Sequence, residues 1–238
     1  MTQLKLHPTA VFDNSAKAYE HIEALPLAAA MGAEIRGVQI SQLNDAQFSL
    51  LLAYLALLRR WNSKFNLTAI RDEQQMAVRH ILDSLAVLPH IEGHTLLDVG
   101  AGAGLPGIPL AIADPARHVT LLDGNGKKTR FMFQAVSELG LDNCAVVQQR
   151  VPDWQPGERF DGIVSRAFAS LADMVDTCAH LLAPGGRFFA MKGALDDEEQ
   201  AAVASMAQVL SVIPLTVPTL NEARCMVVLA PLSASPAV

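Results

Sequence analysis

The chain has 238 residues, 51% hydrophobic and 18% charged, against about 25% charged in an average globular protein; this excludes a disordered chain and points to one ordinary domain with a smaller appendage. Lys and Arg number 18 and Asp and Glu 24, a net charge of −6, so the overall field repels nucleic acid and any RNA partner has to be met by a local basic patch. The longest apolar run, Leu50 to Leu58, falls far short of the ~20 residues that span a bilayer, and Met1 to Pro8 lacks the apolar segment of a secretory signal, which together predict a cytoplasmic protein with no membrane partner.

In chain order, residues 1–40 are helix-prone but without clean periodicity, as in Leu25 to Gly32. From Asn44 the pattern sharpens. Asn44 with Gln47 resembles a capping box, and Phe48, Leu51, Leu52, Leu55 and Leu58 recur at helical spacing, predicting a helix that ends near Trp61. A second helix begins after Asp72, carries the stripe Ile81, Leu82, Leu85 and Leu88, and stops at Pro89. Residues 1–93 thus read as an N-terminal helical extension, with 1–40 of unassigned role, ahead of a domain over 94–238. After Gly93, short apolar strands alternate with helices. Strands are expected at Thr95 to Val99, His118 to Leu122, Ala145 to Gln148, Gly162 to Ser165 and Arg187 to Met191. Helices are expected from about Pro106, from Lys127 to Leu139, from Leu171 to Leu182 and from Asp197 to Leu210. This alternation predicts an α/β fold with a doubly wound parallel sheet. Ser211 to Val217 and Cys225 to Leu229 add an antiparallel hairpin at one edge, for seven strands in all.

The strongest chemical signal is Asp98-Val99-Gly100-Ala101-Gly102-Ala103-Gly104-Leu105-Pro106-Gly107, where the first strand turns into a helix. Such glycines allow a tight turn and let a ligand approach the backbone. The turn alone is shared by dinucleotide and S-adenosylmethionine (SAM) sites; Asp98 just before the glycines resembles the first motif of SAM-dependent methyltransferases. Asp123 ends the second strand, where a carboxylate accepts bonds from ribose hydroxyls or caps the following turn. Leu181 to Phe189, with Pro184-Gly185-Gly186 in its middle, looks like the turn before the fifth strand of methyltransferases.

On the second helix, His80 and Asp83 lie opposite the apolar stripe and share a face with Arg79, either as a solvated surface or as a positioning pair for substrate. Asn62, Asn66 and Thr68 are compatible with turn residues. Arg166 follows a short strand at the sheet's ligand-binding edge, as a cofactor contact or an ion-pair partner. Two basic clusters stand against the acidic background: Arg59, Arg60, Lys64, Arg71 and Arg79, with Trp61 and Phe65 interleaved, and Lys127, Lys128 and Arg130. The three cysteines, Cys144, Cys178 and Cys225, are far apart, and His90 and His94 have no acidic or thiol companion, so neither disulfides nor a metal site is expected.

Several stretches together resemble one family. They are Arg60 to Thr68, His80 to Leu85, the glycine turn through Leu105-Pro106-Gly107-Ile108-Pro109, Gly126-Lys127-Lys128 with Arg130-Phe131, and Ser165 to Ala169. The chain over roughly residues 40–230 is similar to the bacterial 16S ribosomal RNA guanine-N7 methyltransferases, also called glucose-inhibited division protein B. The resemblance implies a Rossmann-like SAM-dependent methyltransferase sheet. It implies SAM contacts at Gly100, Leu105, Val151, Pro152 and Arg166, beside Asp98, Gly102, Gly104 and Asp123 from the residues themselves. The family commonly has an acidic residue where Pro152 stands, and proline offers no N–H, so Val151 or Asp153 has to be the donor there. The substrate implied is 16S RNA, in the small ribosomal subunit or its precursor, with Arg60, Lys64, Arg79, Lys127, Lys128 and Arg130 as RNA contacts and His80 and Asp83 as positioning residues. Guanine N7 has a lone pair and no proton to lose, so methyl transfer there needs no general base. The competing expectations are a catalytically silent RNA-binding or assembly protein on the same fold, and a nicotinamide-dependent oxidoreductase.

Overall fold

A computed structural model describes residues 43–166 and 168–232; the helix-prone expectation for 1–40 lies outside the described residues. Helix α1, Asp45–Phe65, opens on the expected capping box: Asn44 Oδ1 accepts from the Gln47 N–H at 2.9 Å and Gln47 Oε1 from the Asn44 N–H at 2.9 Å. It runs a turn past Trp61, to a left-handed Asn66 at φ 51°. Packing carries it there. Trp61 stacks edge-on against Phe131 and lies over Phe65, with ring centroids 5.7 and 5.1 Å away, and the buried Asn62 donates to Ile70 O and accepts from the Thr68 N–H. Asn62, Asn66 and Thr68 are therefore the residues that end the helix and fold the loop after it.

The second helix, α2, is a continuous run of three segments, Glu73–Met76, a π-helical Ala77–Leu82, and Asp83–Leu85, capped by Asp72, which accepts from the Gln75 N–H at 2.8 Å. The Asp83 N–H donates to Val78 O, five residues back, and this wider turn changes which side chains share a face. The result corrects the solvated-face alternative: His80 and Asp83 are 3% and 4% exposed, Ser84 is buried with them, and of residues 76–85 only Arg79 is half-buried.

The sheet has seven strands in the order β3-β2-β1-β4-β5-β7-β6: β1 Thr95–Val99, β2 His118–Leu122, β3 Cys144–Val147, β4 Phe160–Ser165, β5 Leu182–Lys192, β6 Ala207–Pro214 and β7 Cys225–Pro231. β1 to β5 pair in parallel; β7 runs antiparallel between β5 and β6. Helices α3 Gly107–Ala113, α4 Gly126–Leu139, α5 Leu171–Cys178 and α6 Asp197–Val203 complete it. Two expectations move. The helix after Asp196 stops at Val203, and residues up to Leu210 begin β6, because a short apolar run fits either period and cannot choose between them. β5 begins at Leu182, before Pro184-Gly185-Gly186, with a register shift between Phe160 and Gly162 of β4 absorbing the irregularity.

Side chains alternate cleanly across the sheet. Leu96, Phe189 and Val228 face a buried cluster shared with α1 to α4, while Leu97, Phe188 and Val227 face one shared with α5 and its neighbours. The helical extension is therefore packed on the sheet. β1 is bordered by β2 on one side and β4 on the other, so the chain reverses its winding direction between them. The crevice outside the carboxyl ends of those strands is where open α/β sheets bind ligands, and Ser165 Oγ, donating to Val99 O at 2.9 Å, fastens the two ends together.

Candidate active site

Helix α1 braces the glycine turn, with the Tyr54 hydroxyl donating to Ala103 O at 2.6 Å. The glycines divide into two kinds. Gly100 and Gly102 have φ of +68° and +62°, and a Cβ on either would meet no atom closer than 3.8 Å, so both leave open space on the crevice side. A Cβ on Gly104 would lie 2.4 Å from Ile108 Cδ1, and one on Gly107 2.2 Å from Leu121 Cδ2. Gly104, expected to touch the cofactor, is thus a packing glycine.

Five of the turn's amides are engaged within the chain. Those of Gly100 and Ala101 donate to Leu122 O, those of Gly104 and Leu105 to Ala101 O, and that of Gly102 to Asp123 Oδ2 at 2.9 Å. Asp98 Oδ2 accepts from the Gly107 N–H at 2.7 Å. The open space over Gly100 and Gly102 leaves room for a ligand to pass across the turn, as SAM requires. Asp98 itself is fully buried, so it holds the turn from beneath instead of facing the ligand. Asp123 is also a turn residue, its Oδ1 accepting from the Asn125 N–H at 2.7 Å and its Oδ2 lying 3.9 Å from Lys128 Nζ, yet each oxygen keeps acceptor capacity for a ribose hydroxyl.

Burial pushes the Asp98 carboxyl up to about 7, against the lowering effect of the Gly107 N–H. The folded protein then keeps a proton that the unfolded chain releases, so this group's contribution to stability is present below about pH 4 and is lost as pH rises through about 7. Asn at this position keeps an oxygen for the Gly107 N–H. In Asp98→Asn the decline of melting temperature across that window should flatten; an unchanged slope would show that Asp98 does not titrate there.

Beyond β3, the short turn Val151–Asp153 uses the Asp153 N–H on Arg150 O at 3.1 Å, which leaves Val151 as its donor, since Pro152 has none. Arg166 leaves the end of β4 toward α2, donating to Arg79 O at 2.9 Å with its Nη1 3.7 Å from Asp83 Oδ2. There it lines a cavity of about 360 Å³ with Arg79, His80, Asp83, Lys192 and Arg224. Burial, followed by the nearby Arg166 charge, lowers His80 to about 4; its Nε2 meets Thr68 Oγ1 at 2.9 Å and its buried Nδ1 has no partner. Asp83 lies above the usual carboxylate range because burial outweighs the opposing Arg166 and Arg224.

Arg224, just before β7 and 3.3 Å from Asp83 Oδ1, was not among the residues expected from sequence. A single arginine ahead of an apolar strand carries no signal that it will meet a helix over a hundred residues earlier. The basic clusters are outside this cavity except for Arg79. Arg60 pairs with Glu138 of α4 at 3.2 Å, Lys64 is exposed, and Lys127, Lys128 and Arg130 project from the first turns of α4, beside the glycine turn. Trp61 packs in the core as far as Phe131, while Phe65 stays 44% exposed.

A profile of the family described as GidB, rRNA small subunit methyltransferase G, matches residues 47–228. Relatives named ribosomal RNA small subunit methyltransferase G include one from Erwinia tasmaniensis, 51% identical over 188 residues covering 79% of this chain and 92% of the relative. Another, from Marinobacter nauticus, is 53% identical over 188 residues, or 79% and 88% of the two chains. Among solved structures, a SAM-dependent methyltransferase from Aquifex aeolicus matches with a TM-score of 0.54 at 17% identity, over 69% of this chain and 96% of that one. The glycopeptide N-methyltransferase MtfA in complex with SAM matches with a TM-score of 0.54 at 14% identity, over 63% and 86%. The structural likenesses speak for the sheet and its strand order, and the relatives at about half identity for descent. The chain belongs to the GidB family, the rRNA small subunit methyltransferases G, and is a methyltransferase that uses S-adenosyl-L-methionine.

Proposed function

We propose that the enzyme methylates N7 of a guanine in 16S ribosomal RNA, acting in the cytoplasm on the small ribosomal subunit or its precursor. The observation that carries this reading is the cavity wall beside the glycine crevice. Its carboxylate, Asp83, is bracketed by two guanidiniums, and its histidine is held neutral against Thr68. With its imidazole lowered to about 4, His80 is a poor base at neutral pH, which suits an acceptor nitrogen that has no proton to give. SAM, when bound, supplies the methyl group. The chain's part is to hold the base in line, and alignment of this kind is worth on the order of 7 to 11 kcal/mol. The purine ring becomes positively charged as the bond forms, so a carboxylate in the wall helps more than a further cation at the base; Arg166 then belongs at the cofactor's edge.

Incubating the enzyme with labelled SAM and small subunits from cells that lack the activity, then mapping the label, tests the reading. A single N7-methylguanine in 16S RNA is expected, and label on another base or no label at all would overturn it. The basic patch on α4 should supply affinity without choosing the base. Replacing Lys127, Lys128 and Arg130 together by Gln is expected to weaken RNA binding and to flatten its salt dependence by about two in log–log slope. An unchanged slope would remove this helix from the interface.

A further inference from the structure

At the outer rim of the cavity, side chains from two distant parts of the chain meet on one carboxylate. Glu222 lies in the connection between β6 and β7. Its Oε2 accepts from Arg79 Nη1 at 3.0 Å and from Arg224 Nη2 at 3.0 Å, and its Oε1 accepts from Arg79 Nη2. Arg79 is held in plane by its Nε, which donates to Gln75 Oε1 at 2.8 Å, and Arg224 is held from behind by Asp83, 3.3 Å from its Nε. Both guanidiniums are thus oriented by partners other than Glu222. Arg166 and Lys192 line the cavity behind them.

Two fixed guanidinium forks converging on a planar oxyanion are what a phosphodiester needs, since its two free oxygens share one negative charge much as a carboxylate's do. Glu222 is the solvent-facing member of the group. Its side chain is 49% exposed, so water and salt screen its pairs and an incoming anion can reach the guanidiniums, and the two arginines keep it ionised, with its carboxyl lowered to about 2. Resting on the reading of the substrate as ribosomal RNA, we propose that Arg79 and Arg224 form a clamp for a backbone phosphate next to the target nucleotide, and that Glu222 fills this clamp in the RNA-free enzyme. A lone phosphate has to outcompete a tethered carboxylate. An RNA already held at other basic sites presents its phosphate at high effective concentration and displaces Glu222. The clamp therefore favours a polyanion over small phosphorylated molecules.

Inorganic phosphate is the probe for the first arm, titrated into the full chain while the side-chain Nε–H signals of Arg79 and Arg224 are followed by NMR. Phosphate should bind Glu222→Gln at least about fivefold more tightly than the wild type, with melting temperature nearly unchanged, as for most exposed substitutions. In the second arm, Glu222→Gln should lower KM for small subunits about three- to tenfold, whereas Arg79→Gln should raise it and reduce the salt slope by about one. Phosphate that moves neither arginine in Glu222→Gln, or a KM in that variant equal to or above the wild type's, overturns the clamp. A wild-type enzyme that fails to methylate small subunits overturns the substrate reading instead, and the phosphate titration still decides the clamp.

Discussion

Gly102→Val is expected to abolish binding of S-adenosyl-L-methionine in a protein that still folds. A Cβ there meets only Gly100 O at 3.8 Å and Lys128 Nζ at 3.9 Å, so the branched side chain extends into the crevice, where the cofactor has to pass. The left-handed φ of +62° adds a cost of about 1 to 3 kcal/mol for a side-chain-bearing residue, within the ~5 to 15 kcal/mol that folded domains possess. Gly107→Val should fail in the opposite way. Its Cβ would lie 2.2 Å from Leu121 Cδ2 and 2.8 Å from Asp98 Oδ2, both in the core, where overpacking costs about 1 to 3 kcal/mol or more. Calorimetry and thermal melting separate the two: Gly102→Val should melt cooperatively without binding, and Gly107→Val should melt early. A Gly102→Val protein that binds SAM like the wild type would show that the cofactor does not cross this turn.

Asp83→Asn is expected to lower methyl transfer by about a hundredfold, the scale of loss from a misplacement of roughly 1 Å, with little change in melting temperature. Burial holds the Asp83 carboxyl above its ordinary range despite Arg166 and Arg224, so in the folded state its charge costs more than the two guanidiniums return. Neutralising it therefore sacrifices little net stability, and stability should if anything fall less as pH rises above the ordinary carboxylate range. Both arginines are partly exposed, at 28% and 21%, and can turn to water. What is lost is their anchor, and with it the alignment of the cavity wall. A charge kept at a cost to folding is the mark of a site shaped for chemistry. A destabilised but fully active Asp83→Asn protein would show that the group is only structural.

The parts of this architecture readable in the sequence are those written locally. β1 and β2 begin and end at the residues expected, Thr95–Val99 and His118–Leu122, because polar or glycine residues pin both ends of each short apolar run. The cap of α1 and the glycine turn were equally plain. The interior of α2 was not, since an extra residue in its turn changes the facing of His80 and Asp83 while leaving the apolar spacing nearly helical. β6 was partly hidden because Leu210 and Val212, exposed on an edge strand, suit a helix as well. Glu222 and Arg224 were beyond reach: Glu222 meets Arg79 across 143 residues, and only the tertiary fold brings them together. The roles given to Gly104 and Asp98 shifted for a related reason. A motif places residues at a turn, but packing decides which of them face outward.

The π-helical segment of α2 amounts to one residue more than an α-helix of the same length would hold. Each residue of an ordinary helix advances the face by about 100°. Wound as a plain α-helix, the same residues would therefore carry Asp83, Ser84 and Leu85 further round by that angle, turning the carboxylate away from Arg166 and Arg224 and offering them a different side chain. The identity of the acid in the cavity thus depends on a count as much as on a residue type. Substitutions that abolish the wide turn without removing a residue, and that alter no cavity side chain, should silence the enzyme as effectively as replacing Asp83 itself.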